Sequence, residues 1–593
     1  MRILGVSCYY HDAAAALLED GVLVAAAQEE RFSRRKHDPG FPAQAVAFCL
    51  RRAKCTAADL DYVVFYEKPF LKFERLLTTL VATVPRSVVL FREAMLAWLG
   101  DKLWLKHHIA ERVGVAQDRI LFVEHHLSHA ASALFCSPYA EAALLTVDGV
   151  GEWTTAAMGS GTAAWNGEGE NRIALDAELR FPHSLGLLYS AFTAFLGFEV
   201  NEGEYKVMGM APYGEPKYMN EVRRVVQVYE DGSLHLDLSY FTFPHHTQRT
   251  FSRKLEGLFG APRDPKARFL TDRTSRYDDP APPTRGEIER NQYYADVAAS
   301  IQAVTEDILL RMARHLHART GLRRLCLAGG VALNSVANFR ILTETPFEEI
   351  YVQPAAGDAG GALGAALYAH HVLLGQPRRF ILEHAAWGED HDGAPIADFL
   401  ARNGLGAEHL DDEDRLLERV VDLLAQGKVV GWLQGRFEWG PRALGHRSIL
   451  ADPRRAEMKD IVNTKIKFRE PFRPFAPSVL EEKAGDFFAL QEVARHFPAR
   501  FMLYVVPVRR PDLLPAVTHA DGTGRLQIVR RATNPRYHRL LERFADATGV
   551  PVLLNTSFNL KGEPIVNTPA DAQRTFRASD MDALVLDQWV VLK

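Results

Sequence analysis

The sequence predicts a two-domain α/β protein whose first domain is duplicated, and three observations lead to this prediction. The chain has 593 residues, which is more than one hydrophobic core usually supports. A strand–turn–strand opening at Asp20-Gly21 recurs at Asp148-Gly149, and strand–helix units follow each of them. Glycine, proline and charged residues then interrupt the pattern over residues 375–393. We therefore place one boundary there, giving domains 1–378 and 379–593.

Apolar runs define the elements of the first half of domain 1. They predict a strand over residues 2–10, the hairpin at Asp20-Gly21, and a helix over residues 41–52. A strand over residues 62–66 and a long helical stretch over residues 71–113 follow. The strand 120–123 then leads into HHLSHAASAL, which is predicted to be helical.

The second half repeats the scheme with strands in ALLTVD, EWTTAAMG, LCLAGG and EIYVQP, and a helix from Asp358 onward. Apolar residues at helical spacing predict a packed helix over residues 288–318, after a polar loop over 263–287. In domain 2, residues 411–426 are predicted as an amphipathic helix and residues 428–432 as a buried strand.

Composition excludes several classes of protein. A net charge of −4 gives no broad basic surface, so no nucleic-acid partner is expected. No run of about 18 apolar residues exists to span a bilayer, and the N-terminus lacks the features of a signal peptide. Five cysteines without CxxC spacing indicate a reducing compartment. We expect a cytoplasmic protein without a membrane partner.

Two histidines and two aspartates form a candidate metal site. His125 and His129 are four residues apart in a predicted helix and share one face, although His126 offers a rival pairing with His129. Asp148 ends a predicted strand and Asp358 opens a helix after another strand, positions where ligands often lie in α/β sheets. This mixed nitrogen and oxygen set suits Fe(II), Mn(II) or Zn(II).

Glycine turns form a candidate nucleotide site. DGVGEWT, with Gly149 and Gly151, and AGGVALNS, with Gly329 and Gly330, place backbone amides at strand ends, where they suit phosphate groups. Neither is a P-loop or a dinucleotide fingerprint. His11, after the first strand, is either a phosphate ligand, a general base or a simple turn residue.

Domain 2 carries a cluster of cations interleaved with glycine, proline and phenylalanine. Arginine binds phosphate and carboxylate through paired hydrogen bonds, and lysine adds a point charge, so the cluster predicts a pocket for a small anion. A nucleic-acid surface is the less favoured interpretation. The cations within about thirty residues are Arg442, Arg447, Lys465, Lys467, Arg469 and Arg473, and NTSFN follows later from Asn555.

These segments together resemble the NodU/CmcH/TobZ-type O-carbamoyltransferase family over nearly the whole chain. The segments that carry the resemblance are YYHDAAAAL, QEERFSRRKHD, EHHLSHAASA, TVDGVGEWT, LAGGVALNS, GDAGGALGAA, WGPRALGHRSILADPR, KFREPFRPFAPS and LNTSFNLKGEPIV. The family implies an actin-like (ASKHA-type) first domain and a YrdC-like second domain. It also implies an enzyme of secondary metabolism such as antibiotic biosynthesis.

The resemblance implies two chemical stages. In domain 2, carbamoyl phosphate is cleaved and ATP, with Mg²⁺, captures the carbamate as carbamoyl-adenylate. In domain 1, a hydroxyl of a small-molecule acceptor then attacks the carbamoyl carbon and AMP leaves. Neither the acceptor nor the oligomeric state can be deduced from the sequence.

The resemblance also assigns roles to individual residues. His125, His129, Asp148 and Asp358 would bind Fe(II). Catalytic roles fall to His11 and Lys36, and nucleotide contacts to Gly149, Gly151, Gly329, Gly330 and Asn334. The carbamoyl-phosphate pocket would contain Arg442, Lys467, Arg469, Arg473, Arg525, Ser557 and Asn559, and whether Arg469 or Arg473 is the main ligand stays open.

Two alternative functions remain open at this point. One is a fused enzyme that forms threonylcarbamoyladenosine in tRNA, which the slightly acidic chain disfavours. The other is a non-catalytic actin-like nucleotide-binding regulator, which the cationic cluster in domain 2 disfavours.

Overall fold

The computed structural model describes residues 1–100, 102–246, 249–274, 281–391 and 393–593, so part of the predicted 263–287 loop lies outside the described residues. The chain forms two compact units. Unit 1 comprises Met1–Ala26, Pro39–Ala267 and Gln292–Ile381, and unit 2 comprises Ala27–Asp38, Arg268–Asn291 and Leu382–Lys593. Two segments from the first part of the chain thus belong with unit 2, a division more complex than the single boundary expected from the sequence.

Unit 2 contains contacts that hold its earliest segment. The Arg31 guanidinium donates a hydrogen bond to the Gly440 carbonyl (2.7 Å), and Arg34 donates to the carbonyls of Pro564 (2.8 Å) and Ile565 (2.6 Å). These contacts are between residues hundreds of positions apart, which is why no local sequence pattern revealed them.

The strands up to residue 381 are β1 (Arg2–Ser7), β2 (Ala14–Glu19), β3 (Val22–Gln28), β4 (Tyr62–Phe65), β5 (Ile120–Phe122), β6 (Glu141–Val147), β7 (Thr154–Thr162), β8 (Arg172–Arg180), β9 (Val226–Val228), β10 (Leu234–Leu236), β11 (Arg324–Ala328) and β12 (Glu349–Tyr351). The helices are α1 (Glu30–Ser33), α2 (Ala43–Arg52), α3 (Pro69–Ala82), α4 (Val88–Gly100), α5 (Leu105–Val113), α6 (His125–Leu134), α7 (Leu185–Phe195), α8 (Glu204–Met210), α9 (Met219–Val225), α10 (Arg253–Phe259), α11 (Arg285–Thr320), α12 (Ser335–Glu344) and α13 (Asp358–Tyr368).

Unit 1 contains the same five-stranded sheet twice. The first sheet has the order β3-β2-β1-β4-β5, and the second has the corresponding order β8-β7-β6-β11-β12. In the first sheet, β1 runs antiparallel to β2 and parallel to β4, and β4 is parallel to β5. In the second sheet, β6 runs antiparallel to β7 and parallel to β11, and β11 is parallel to β12. This repeated mixed α/β topology is that of the actin-like fold, so the predicted duplication is confirmed.

Close packing brings the two halves of unit 1 together at helices α6 and α13. A Cβ atom on Gly5, in β1, would lie 1.8 Å from the Ala362 carbonyl oxygen of α13. A Cβ atom on Gly364, in α13, would lie 1.8 Å from the Ser128 carbonyl oxygen of α6. Only glycine permits such a close approach. The first residues of α6 and α13, which carry the candidate metal ligands, are thereby held side by side.

Two long helical predictions had different outcomes. The stretch 71–113 consists of three helices, α3, α4 and α5, because Pro85 and Gly100 interrupt it where a helix is disfavoured. The helix predicted over 288–318 is α11, and Val297, Ile301 and Val304 of its apolar stripe are fully buried.

The later strands are β13 (Ala386–Asp390), β14 (Glu408–His409), β15 (Val430–Leu433), β16 (Arg436–Glu438), β17 (Arg447–Ala451), β18 (Ala476–Leu480), β19 (Tyr504–Pro507), β20 (Thr523–Val529), β21 (Val552–Ser557), β22 (Ala583–Leu586) and β23 (Trp589–Leu592). The later helices are α14 (Ala394–Arg402), α15 (Glu413–Ala425), α16 (Met458–Ile461), α17 (Ala484–Phe487), α18 (Phe497–Arg500), α19 (Pro535–Thr548) and α20 (Pro569–Arg577).

Unit 2 is built on a nine-stranded mixed sheet of order β14-β23-β22-β15-β17-β21-β18-β20-β19. Helices α15 and α19 cover it through a buried cluster that includes Leu416, Trp432 and Leu540. The predicted amphipathic helix and buried strand correspond to α15 and β15. Within the described residues, no helix has both the length and the apolar character needed to cross a membrane.

Candidate active sites

Unit 1 brings the four predicted metal ligands into one buried cluster. The Nε2 atoms of His125 and His129 are 3.0 Å apart, and Asp148 Oδ2 lies 3.0 and 3.1 Å from them. Asp358 Oδ1 is 3.6 Å from both Nε2 atoms. One ligand atom from each of the four residues lies within 4.8 Å of the others, which is close enough to share an ion.

The electrostatics of this cluster favour a cation. Burial opposes charge on His129, but hydrogen bonds to Asp148 and Asp358 outweigh it and raise the His129 pKa to about 9. Two buried carboxylates thus require positive charge between them, from a proton or from a metal ion. The Nε2 atoms of both histidines face each other and the two carboxylates, so Nε2 is the atom that would bind an ion. The four side chains therefore fit a divalent ion with nitrogen and oxygen ligands.

His126, the rival partner of His129, points elsewhere. Its Nε2–H donates to the Thr154 carbonyl (2.9 Å), and its Nδ1 accepts from the Thr146 hydroxyl (2.7 Å). Burial holds the His126 pKa well below its usual value, so the ring is neutral. Both ring nitrogens are engaged in tethering α6 to the sheet, and the pairing of His126 with His129 is not formed.

The two predicted glycine turns hold Asp148. The backbone N–H groups of Gly149 (2.8 Å) and Gly330 (3.1 Å) donate to Asp148 Oδ1, which leaves Oδ2 facing the histidines. Gly329 has φ 95°, and a Cβ atom there would lie 2.2 Å from the Val147 carbonyl oxygen, so glycine is required. The Gly151 carbonyl accepts from Arg75 (2.7 Å).

Asn334, a predicted nucleotide contact, caps a helix. Its side-chain oxygen accepts from the Ala337 N–H (3.2 Å) at the start of α12, and its amide donates to Gln302 Oε1 (3.2 Å). Its role toward a nucleotide stays a prediction, as does that of the glycine turns.

His11 lies beside the metal cluster. Its Nδ1 is 2.9 Å from Asp12 Oδ2 and its Nε2 is 3.8 Å from Asp358 Oδ2. Burial opposes charge on the ring, but Asp358 and Asp12 raise the His11 pKa to about 10. The imidazole is therefore protonated at neutral pH, and a base at this position requires the influence of Asp358 and Asp12 on the ring to be weakened.

Glu152 is a residue of this site that the sequence analysis missed. Its buried carboxylate accepts the backbone N–H of His125 (3.1 Å) at the start of α6 and that of Lys68 (2.7 Å). Burial raises the Glu152 pKa. An acidic residue directly after the DGVG turn was the available signal. Glu152 fixes the first turn of the helix that carries both histidines.

Unit 2 brings Lys467, Ser557 and Asn559 of the predicted anion pocket into contact. Lys467 Nζ donates to the Ser557 carbonyl (2.6 Å), to Asn559 Oδ1 (2.6 Å) and to Ser557 Oγ (3.2 Å). Only 3% of Lys467 is exposed, and no carboxylate among the described residues pairs with its ammonium group. Burial, and then Arg469 and Arg473, hold the Lys467 pKa well below its usual value. The charge of Glu563 acts in the opposite direction but is outweighed, so this buried lysine among further cations is a site for an anion.

The predicted arginines Arg469 and Arg473 have partners of their own near Lys467. Arg473 forms an ion pair with Glu470 (2.5 Å), and Arg469 Nε donates to Asn463 Oδ1 (2.7 Å). Both act on Lys467 electrostatically, so the structure leaves open which one is the main ligand. Arg525 lies on β20, two residues before Gln527.

Arg442 lies beside the same end of the sheet. Asn555, two residues before Ser557, donates to Gln527 Oε1 (2.8 Å) and to the carbonyl of Ala443 (3.2 Å), the residue that follows Arg442. The loop that carries Arg442 is shaped by Glu438, whose Oε1 accepts the N–H groups of Leu444 (2.7 Å), His446 (2.9 Å) and Arg447 (3.2 Å). Glu438 was also missed.

Lys36 belongs to unit 2, with the anion pocket, and not to unit 1, where His11 lies. Its positive charge contributes to the lowered pKa of Lys467. The contacts of Arg31 and Arg34 described above hold its segment in place. Lys36 therefore adds positive charge to the pocket of unit 2.

Unit 1 thus has an actin-like topology with a buried cluster of four ligand residues, and unit 2 has a cationic pocket around Lys467. Two family models match: Carbamoyltransferase N-terminus over residues 2–367 and Carbamoyltransferase C-terminus over residues 421–593. The chain belongs to the carbamoyltransferase family, as the motifs predicted, and it is a transferase enzyme.

The chain is also similar in sequence to several bacterial proteins. The chain is 38% identical over 598 residues to nodulation protein NolNO of Sinorhizobium fredii, covering 99% of this chain and 79% of that protein. It is 46% identical over 629 residues to an uncharacterized protein of Synechocystis sp., covering 100% and 97%. It is 37% identical over 266 residues to the 3'-hydroxymethylcephem-O-carbamoyltransferase of Amycolatopsis lactamdurans, covering 45% and 48%.

Proposed function

We propose that this carbamoyltransferase is ATP-dependent and works in two stages. In unit 2, which we take to be YrdC-like, carbamoyl phosphate is hydrolysed to carbamate and phosphate. A carbamate oxygen then attacks the α-phosphorus of ATP, the bond to the β-phosphate breaks, and pyrophosphate leaves. In unit 1 the hydroxyl of a small acceptor attacks the carbamoyl carbon, the bond to the AMP oxygen breaks, and AMP leaves.

The observation that carries the proposal is the buried, unneutralised ammonium of Lys467. Carbamate, carbamoyl phosphate and ATP are all anions, and an arginine- and lysine-rich pocket compensates the cost of removing them from water. Ser557 and Asn559 orient the ammonium group and offer polar atoms to a small planar carbamoyl group. Lys36, Arg469 and Arg473 add positive charge around it.

The buried cluster of unit 1 would carry the transfer stage. His125, His129, Asp148 and Asp358 would hold the metal ion, for which Fe(II) is our proposal, and a divalent ion there supplies Lewis-acid stabilisation of negative charge on a phosphate group. Mg²⁺ would accompany ATP. With the charge of Asp358 neutralised, His11 Nε2 is placed to accept the acceptor's hydroxyl proton. The N–H groups of Gly149 and Gly330 keep Asp148 oriented in this arrangement.

Pyrophosphate release tests the first stage. Purified protein is incubated with ATP and carbamoyl phosphate, without acceptor, beside reactions that lack one reagent. We expect pyrophosphate only when both are present, strongly reduced in Lys467→Met and unchanged in Lys428→Met, which removes an exposed lysine of the same unit. Pyrophosphate that depends on threonine and bicarbonate, and not on carbamoyl phosphate, would contradict the proposal and favour the threonylcarbamoyl alternative.

A further inference from the structure

Three cations lie along one face of helix α3 in unit 1, and one of them has no carboxylate partner. Lys68 precedes the first residue of α3, and Lys72 and Arg75 follow it at the spacing of a single helical stripe. The Lys68 ammonium group pairs with Glu124 (2.7 Å), and that of Lys72 pairs with Glu67 (2.8 Å). Among the described residues, no carboxylate lies within ion-pair distance of the Arg75 guanidinium group.

Arg75 is nevertheless a buried residue, with only 7% of its surface exposed. Burial lowers the Arg75 pKa, although Tyr10, Glu67 and Glu152 act in the opposite direction. Both of these carboxylates have other partners, because Glu67 pairs with Lys72 and Glu152 accepts a backbone N–H group at the start of α6. A guanidinium group keeps its charge at neutral pH even when it is buried. A buried charge of this kind is costly unless an anion is bound to it.

The guanidinium group of Arg75 lies beside the metal cluster. Its Nη1 donates a hydrogen bond to the Gly151 carbonyl (2.7 Å), and a Cβ atom on Gly151 would lie 2.9 Å from His125 Cβ. Gly151 alone therefore separates Arg75 from one of the four ligand residues. Burial raises the pKa of Tyr10, Asp358 raises it further and Arg75 lowers it. The Tyr10 ring is thus within electrostatic reach of both the cluster and the guanidinium group.

We propose that Arg75 binds the phosphate group of a nucleotide held at the cluster of unit 1, an inference that rests on the function proposed above. A guanidinium group binds phosphate through paired, charge-assisted hydrogen bonds. In the transfer stage, the electron pair of the broken carbamoyl–oxygen bond goes to a phosphate oxygen, and the phosphate gains about one negative charge as AMP forms. A fixed cation therefore stabilises the leaving AMP more than the adenylate, so Arg75 promotes the transfer.

The affinities of AMP and adenosine test this assignment, because the two ligands differ only in the phosphate group. Each is titrated calorimetrically into the full chain saturated with Mn²⁺, and the natural protein should bind AMP more tightly than adenosine. Arg75→Met should weaken the binding of AMP about 10- to 100-fold and leave that of adenosine unchanged. Arg75→Lys keeps the charge without the planar fork and should fall between the two. Arg323→Met removes an exposed arginine of the same unit and should match the natural protein.

Two accompanying measurements identify the site and the cause. Mn²⁺ should broaden the ³¹P signal of bound AMP in the natural protein and not in His129→Ala, which assigns the binding to unit 1. Metal content and circular dichroism are measured for each variant, because Arg75 also holds the turn at Gly151.

The outcomes distinguish this inference from the proposed function. An unchanged AMP affinity in Arg75→Met, or an equal loss for AMP and adenosine, would overturn the role of Arg75 and leave the two-stage reaction standing. A natural protein that binds AMP no more tightly than adenosine, or without ³¹P broadening by Mn²⁺, would contradict a phosphate site in unit 1 and with it the proposed transfer stage.

Discussion

Replacing Lys467 with methionine should abolish the first reaction and at the same time stabilise unit 2. Methionine fills a similar volume without charge. The oxygens that accept hydrogen bonds from Lys467 keep other partners in the variant. The backbone N–H of Asn559 still donates to the Ser557 carbonyl (3.1 Å), and the Ser557 hydroxyl still donates to Asn559 Oδ1 (2.7 Å). No buried acceptor is orphaned, so the gain from removing an uncompensated buried charge should prevail.

The magnitudes follow from that balance. Replacing buried charge by apolar volume is neutral or stabilising by about 1–4 kcal/mol, and each kcal/mol raises Tm by about 2–4 °C for a domain of this size class. Loss of one preorganised donor to reacting phosphate or carbamate should lower pyrophosphate formation about 100- to 1,000-fold. The variant should thus be more stable and nearly inactive.

The pH dependence has a definite sign. The pKa of Lys467 is lower in the folded chain than in the unfolded chain, so the unfolded state binds the extra proton and the natural protein is penalised below the folded pKa. The penalty disappears as pH rises from the folded pKa toward that of free lysine. The difference in Tm between the variant and the natural protein should therefore shrink as pH rises.

Scanning calorimetry over a pH series, with and without carbamoyl phosphate, measures these effects. The ligand should raise the Tm of the natural protein and not that of Lys467→Met. A variant that is less stable than the natural protein and still forms pyrophosphate at the natural rate would refute the reasoning.

Four further substitutions separate the roles of the two units. Elemental analysis should show that His129→Ala has lost its bound divalent metal. His126→Gln should keep the metal, because His126 faces Thr146 and Thr154. Equal metal content in both variants would contradict the ligand assignment. Glu152→Gln should cost about 0.5–2 kcal/mol of unfolding free energy, because it weakens the cap of α6. It should also reduce metal affinity about 10- to 100-fold and leave pyrophosphate formation unchanged. A metal titration that matches the natural protein would exclude this positioning role. Arg31→Met should raise the KM for carbamoyl phosphate by loosening the segment that carries Lys36, without changing metal content, and an unaltered KM would show that the segment is not part of the pocket.

The sequence predicted what depends on local pattern. The spacing of His125 and His129 and the strand-end positions of Asp148 and Asp358 were enough to place all four residues in one site, because sheet edges and helix faces are regular. The repeated Asp-Gly openings likewise predicted the duplicated sheets. The spacing alone left His126 open beside His125, and the family resemblance favoured His125. The structure gives the reason, because His126 is held by Thr146 and Thr154 across the sheet.

What the sequence could not show depends on distant contacts. The placement of residues 27–38 and 268–291 in unit 2 rests on pairs such as Arg31 with Gly440. Likewise, nothing in the sequence indicated that Lys36, predicted to be catalytic, belongs to unit 2 and acts electrostatically on Lys467. Glu152 and Glu438 were missed because a carboxylate that accepts backbone N–H groups has no characteristic spacing in sequence.

Trapping the intermediate tests the central claim most directly. The variant His129→Ala is incubated with ATP and with carbamoyl phosphate that carries a ¹³C-labelled carbonyl. It should release pyrophosphate and accumulate labelled carbamoyl-AMP, because the transfer site of unit 1 is disabled while the pocket of unit 2 is intact. Mass spectrometry after rapid quenching detects the labelled intermediate. Addition of the natural metal-loaded enzyme and a hydroxyl acceptor should move the label to the acceptor and release AMP. Labelled acceptor formed without ATP, or ADP in place of pyrophosphate and AMP, would contradict the account.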